Sequence, residues 1–238
     1  CSPVLNVPSV AYNIKDNPMT AILFGSIGAI AETSERQRQA FNQAFAHHGL
    51  DWHWPQSDYR ALLKHSGGQR RIEAYAESRG HSVDALAIHR SKSDFYQASL
   101  QATPLQPRSG VTDTIQAAKE KRIKLALVTT TSPENVAALL QALHPSVKAT
   151  DFDLIIDRAC VPQPKPASDA YCLTLETLNE QPGSCVAIED NLDGLRAAQS
   201  AGISCVAFPG NNTANHDFSA AQAQVNVLSF SALQRFIP

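Results

Sequence analysis

Short apolar runs rich in Val, Ile and Leu recur along the chain, at Ala21 to Phe24, Leu125 to Val128, Leu154 to Ile156, Val186 to Ile188 and Cys205 to Phe208. Helical patterns lie between the later runs, at Pro133 to Leu143, Ala167 to Leu178 and Leu192 to Ala201. Strands that alternate with helices in this way imply an α/β fold built on a parallel, doubly wound sheet. In such a sheet ligands gather at the carboxyl ends of the strands, so the residues after each run are the ones to read for function.

One stretch breaks the alternation. From about Glu35 to Thr103 the chain reads as helix after helix, with amphipathic segments at Gln37 to Phe45, Tyr59 to Leu63, Arg70 to Arg79, Ser82 to Arg90 and Ser91 to Leu100. A helical cap inserted after the first strand is the simplest topology. Pro104, Pro107 and Gly110 supply the turns that return the chain to the sheet. The expected division is therefore a core of residues 19–33 and 104–238, a cap of residues 34–103, and an extension of residues 1–18. That extension lacks the basic and apolar regions of a signal peptide, and Met19 is read as a candidate natural start. An N-terminal Cys1-Ser2 also occurs in processed lipoproteins, a minority explanation here.

The formal charge is only -2, from 20 basic and 22 acidic residues, so no global field draws the chain to nucleic acid or to an anionic membrane. No run of about 18 apolar residues is present to span a bilayer. The five cysteines are widely spaced and form no CxxC pair, which favours a reducing, cytoplasmic setting over a disulfide framework. An anionic ligand has to be held by a local site.

Four places could form one. The first strand runs into Phe24-Gly25-Ser26-Ile27-Gly28-Ala29, with Glu32 and Thr33 close behind. The second ends at Thr129-Thr130-Thr131-Ser132 before Pro133 and Glu134 open a helix, where a hydroxyl and free backbone amides suit a phosphate. Taken alone, Ser132 is more simply a helix cap. Lys165 stands between Pro164 and Pro166 in a rigid loop, and a solvated surface lysine is its plainer reading. The fourth strand ends at Glu189-Asp190-Asn191, adjacent carboxylates that suit Mg²⁺ beside a phosphate, with helix capping by Asp190 as the competing account.

In this order the four elements resemble the motifs of the haloacid dehalogenase superfamily, over essentially everything from Met19 onward. Ala31-Glu32-Thr33 with Arg38 to Asn42, Gly67 to Ile72, and Ala187 to Ala198 look like its CbbY-like, β-phosphoglucomutase-like branch, which acts on phosphorylated sugars. The resemblance implies a Rossmann-like core. It implies that Thr129 and Thr130 receive the phosphoryl group and Lys165 neutralises it. Glu189, Asp190 and the carbonyl of Ile27 would hold Mg²⁺. Glu32 would touch substrate near the cap hinge, and Arg71 in the cap would face a second anionic group approached closely over Gly67 and Gly68.

The chain departs from the family pattern in its first motif, Phe-Asp-x-Asp-Gly-Thr. Gly25 stands at the nucleophile position, Ile27 at the acid/base position and Ala29 at a polar one. Glycine cannot form a phosphoaspartyl intermediate, and isoleucine can neither protonate a leaving oxygen nor activate water. Strand alternation places Ser26 on the opposite face, which argues against its substituting. The leading expectation is a protein that binds a phosphorylated small molecule without ordinary hydrolysis, with weakened affinity for Mg²⁺. The rivals are a hydrolase using metal-activated water on Glu189 and Asp190, and an inert structural or regulatory partner of another protein.

Overall fold

A computed structural model describes residues 19–237; the expectations about the extension of residues 1–18 lie outside the described residues. Strand β1 (Ala21–Phe24) leads through a single turn, α1 (Ile27–Ile30), into four helices: α2 (Ser34–His47), α3 (Gln56–Leu62), α4 (Gly68–Ser78) and α5 (Ala85–Ala102). The chain then alternates: α6 (Val111–Glu120), β2 (Lys124–Val128), α7 (Pro133–Leu143), β3 (Leu154–Ile156), α8 (Asp169–Leu178), β4 (Cys185–Glu189), α9 (Leu192–Ser200), β5 (Ser204–Ala207), β6 (Ala223–Gln224) and α10 (Phe230–Leu233). The strands form one parallel sheet in the order β3-β2-β1-β4-β5-β6.

Placing β1 between β2 and β4 sets the ends of all three side by side, with Phe24 in register with Leu127 and Ile188. All of β1 is buried because both sheet faces are covered. Ile22 and Phe24 point into one core layer, with Leu127, Val136 and Leu139. Ala21 and Leu23 point into the other, with Ala170, Tyr171 and Leu195.

The cap has a core of its own. Phe41 and Phe45 on α2 pack on Trp54, with ring centres 4.8 and 4.7 Å apart. The two segments read as Ser82 to Arg90 and Ser91 to Leu100 are one continuous helix, α5. Asp84 caps it by accepting from Ala87 N, and no proline or glycine interrupts its interior. Strand β6, with two partly exposed residues, carries no apolar run to reveal it.

Cap and core are in direct contact. Asp193 at the start of α9 accepts from Ser66 N at 2.7 Å, and Asn212 Oδ1 accepts from Gln56 at 2.9 Å and Arg60 at 3.3 Å. Leu127 is fully buried in a central strand, so Leu127→Ala is expected to cost ~2–5 kcal/mol through lost transfer energy and the cavity left behind. A fall of that size in unfolding free energy, read by chemical denaturation, checks it.

Candidate functional site

A cleft of about 860 Å³ lies between the carboxyl ends of β1, β2 and β4 and the inner wall of the cap. It is lined by Ser26, Thr129, Lys165 and Asp190 below and by Arg71 and Lys92 above. The sequence candidates therefore meet in one place, although several are used differently from expectation.

Lys165 is buried rather than solvated, with 3 % exposure. Its ammonium donates to the carbonyl of Gly25, to Val128 O at 2.7 Å and to Glu189 Oε1 at 2.5 Å. A lysine has three N–H donors, so all are engaged. Glu189 is fully buried and also accepts from the Tyr171 hydroxyl at 2.7 Å, while its second oxygen, Oε2, has no partner. Burial pushes the Glu189 carboxyl up, with Lys165 pulling against it, and burial likewise raises Tyr171.

Gly25 makes this cluster fit. A Cβ at position 25 would fall on the Glu189 carboxylate and the Tyr171 hydroxyl, and a Cβ at Gly194 would strike the same carboxylate from the helix side. The space that a side chain at position 25 would need is thus taken by an inward-turned glutamate.

Ser26 faces the site, contrary to the alternation argument. The strand has already ended at Phe24, and Ser26 caps α1, accepting from Ala29 N at 3.0 Å and donating to Asp190 Oδ1 at 2.7 Å. Asp190 does not cap the following helix; Asn191 does, accepting from Gly194 N at 2.9 Å. Ile27 packs into the core, and its carbonyl accepts from Ala31 N at 3.1 Å. Thr129 is buried with its oxygen accepting from Thr131 N at 3.2 Å, and Ser132 caps α7, in line with its plainer reading. Thr130 also lines the cleft.

Glu32 serves the hinge: it accepts from Ser34 N at 3.1 Å and from Asn211 N at 2.7 Å, tying the start of α2 to the loop after β5. Arg71 reaches the cleft wall, but it donates to the carbonyls of Leu62 and His65 at 3.0 and 2.8 Å and lies over the Phe41 and Tyr59 rings. Gly68 makes room for His89, whose imidazole a Cβ there would meet. Sequence reasoning missed His89 and Lys92. The signal for Lys92 was present, since it shares four-residue spacing with the buried Ile88, Tyr96 and Leu100.

The donor set does not fit a resident Mg²⁺. Gly25 offers no carboxylate, and Glu189 spends Oε1 on Lys165 and Tyr171, which leaves its buried Oε2 as the one unpartnered oxygen there. Asp190 retains Oδ2, since Oδ1 already accepts from Ser26 and Asn191. Among the described residues no group of three acidic, histidine or cysteine side chains is arranged to hold a metal.

A family model described as haloacid dehalogenase-like hydrolase matches residues 10–202. Protein CbbY of Cereibacter sphaeroides is 40% identical over 204 residues, which cover 84% of this chain and 89% of that protein. A crystal structure of CbbY from Rhodobacter sphaeroides in complex with phosphate superposes with a TM-score of 0.80 at 38% identity, covering 88% of this chain and 94% of that one. A mutant of the same protein, in complex with xylulose-(1,5)bisphosphate, gives the same score, identity and coverage.

Two outcomes test this electrostatic arrangement. Lys165→Met leaves a buried carboxylate without its cation and is expected to cost ~3–5 kcal/mol, while adding Glu189→Leu recovers much of that loss; a double-mutant cycle in denaturant reads both. Lys92 behaves oppositely, because burial and the nearby Arg71 bring its ammonium down to about 7. A free lysine keeps its proton to about 10.4, so between these values the unfolded chain binds more protons and stability rises with pH, by at most ~1.4 kcal/mol per pH unit. That contribution is complete above pH ~10.4 and lost below pH ~7. Lys92→Met is therefore expected to raise Tm at pH 7, with the gap closing toward pH ~10.

Proposed function

The chain belongs to the haloacid dehalogenase-like hydrolase family, and on that footing we propose that it binds a phosphorylated small molecule of the sugar phosphate class without hydrolysing it by the family's aspartyl route. One observation carries this reading: the position of the missing nucleophile is filled by the Glu189, Lys165 and Tyr171 cluster, while Thr129, Thr130 and Arg71 line the surrounding cleft.

The parts have separable roles. The turn from Thr129 to Ser132 lines the cleft with hydroxyls at the start of α7, where the helix dipole favours an anionic oxygen. Lys165 must release one of its acceptors to meet the same anion. Arg71 gives the cap wall positive charge and Lys92 adds an N–H donor beside it, which suits a ligand with anionic groups at both ends. Kinship with proteins crystallised with phosphate and with a sugar bisphosphate supports this ligand class.

Chemistry is the step that lacks its groups. With no carboxylate at 25, no phosphoaspartyl intermediate forms, and Ile27 moves no proton. Losing a member of such a set costs several orders of magnitude in rate. The rival in which Glu189 and Asp190 hold a metal-activated water requires Glu189 to leave Lys165 and Tyr171 and finds less support in this packing.

Calorimetric titration with sugar mono- and bisphosphates is expected to show binding that Mg²⁺ or a chelator changes little, together with no turnover on a phosphate-ester panel. Absence of binding at millimolar ligand overturns the reading, and turnover lost in Asp190→Asn transfers it to the hydrolase rival. Gly25→Asp combined with Ile27→Asp is expected to displace Glu189 toward the cleft and to introduce Mg²⁺-dependent hydrolysis.

A further inference from the structure

Helix α5 buries Ile88, Lys92, Tyr96 and Leu100 in one stripe, and Lys92 is the member that does not belong there by polarity. It is 4 % exposed yet borders the cleft. Its Nζ donates to Gln37 Oε1 at 2.8 Å and lies 4.9 Å from the ring centre of Phe41 and 5.1 Å from that of Tyr96. Among the described residues no ion pair involves it. The charged and titratable groups that act on it or feel it are Arg71, a second cation, and His89, one turn earlier on α5. An ammonium in this setting has one amide oxygen and two ring faces to replace water, and a cation beside it. Its proton is correspondingly loose, down to about 7, and burial first, then Lys92 and Arg71, bring His89 down to about 4. Desolvation beside another cation is the recognised way to make a lysine amine nucleophilic at neutral pH.

We propose that Lys92 forms a reversible imine with the carbonyl carbon of a phosphorylated ketone or aldehyde held in the cleft. The inference rests on the phosphate-binding reading above and adds a covalent capture step to it. The lone pair of Nζ attacks the carbonyl carbon, the C–N bond forms, and the π pair moves to oxygen. A proton passes from nitrogen to that oxygen to give a carbinolamine. Protonation of the hydroxyl lets it leave as water while the nitrogen lone pair closes the C=N bond. Amine, carbonyl and one proton thus become an iminium and water, with no change of oxidation state, and hydration reverses the sequence. The iminium charge remains on Nζ between the Phe41 and Tyr96 rings, whose faces attract a cation.

The experiment treats the full chain with dihydroxyacetone phosphate and cyanoborohydride at neutral pH, followed by intact mass and peptide mapping. The expected result is one reduced adduct per chain on Lys92, suppressed by excess glycerol 3-phosphate, which has no carbonyl. It is lost in Lys92→Met and in Lys92→Arg, which keeps the charge but not the reactive amine. Because Lys92→Met is expected to be at least as stable as the parent, loss of the adduct there reads chemistry rather than unfolding. Glycerol 3-phosphate binding measured by calorimetry without any adduct overturns the imine and leaves the phosphate reading standing. An adduct that maps elsewhere or survives in Lys92→Arg also overturns it. Failure of both binding and adduct overturns both readings.

Discussion

Beneath the ends of β1, β2 and β4, a lysine ammonium and a glutamate carboxylate meet 2.5 Å apart with both side chains almost wholly removed from water. Each charge alone would be costly to bury, and their attraction offsets that cost only because Gly25, Val128 and Tyr171 supply the remaining hydrogen bonds. The geometry holds because position 25 has no side chain and because Gly194 brings α9 close on the other flank. Buried pairs of this kind seldom add much net stability over an apolar substitute, so the pair is better understood as fixing positions than as holding the fold together. It decides where Lys165 points, and hence how much positive charge the core side of the cleft shows to a ligand.

The two walls of the cleft therefore differ in electrostatic state. On the core side the cation is matched by an internal anion, and the remaining carboxylate of Asp190 is fastened by Ser26 and Asn191. On the cap side Arg71 is satisfied by neutral carbonyls and keeps its charge uncancelled, while Lys92, held by a neutral amide beside it, gives up its proton near neutrality. An anion entering the cleft is attracted upward by charge and oriented below by the dipoles of the Thr129 to Ser132 turn. Contacts across the cap, through Ser66 to Asp193 and through Asn212 to Gln56 and Arg60, tie these walls to each other.

Much of the architecture was legible because parallel strands covered on both faces have to be apolar, and β1 to β5 are. Strand β6 was not, since two partly exposed residues at a sheet edge need no apolar run. The position of the site was legible from the residues just beyond the carboxyl end of each strand, but the state of its groups was not. Ser26 was assigned to the wrong face because alternation was carried two residues past the end of β1. The resemblance gives Glu189 a metal-binding role, but the direction of its side chain depends on the room left by Gly25, far away in sequence, and no local motif shows that. Lys165 was placed at the site only by the family resemblance, because a Pro-Lys-Pro loop taken alone gives no sign of the acceptors that the folded sheet brings to it.

The losses at positions 25 and 27 are coupled to the packing around them. Ile27 is 7 % exposed and belongs to the same apolar layer as Phe24 and Ile30, while Gly25 leaves the space into which Glu189 turns. An aspartate at 25 without a rearranged Glu189 would place two carboxylates in one volume, and an aspartate at 27 would set a charge against apolar neighbours. Each change is unfavourable unless some cation or a reordered Lys165 compensates for it. The space of the absent acids is thus taken by a packed alternative with its own hydrogen bonds, made by Glu189, Lys165 and Tyr171. What the fold builds is a cleft with hydroxyls at its core end and Arg71 and Lys92 on its cap wall.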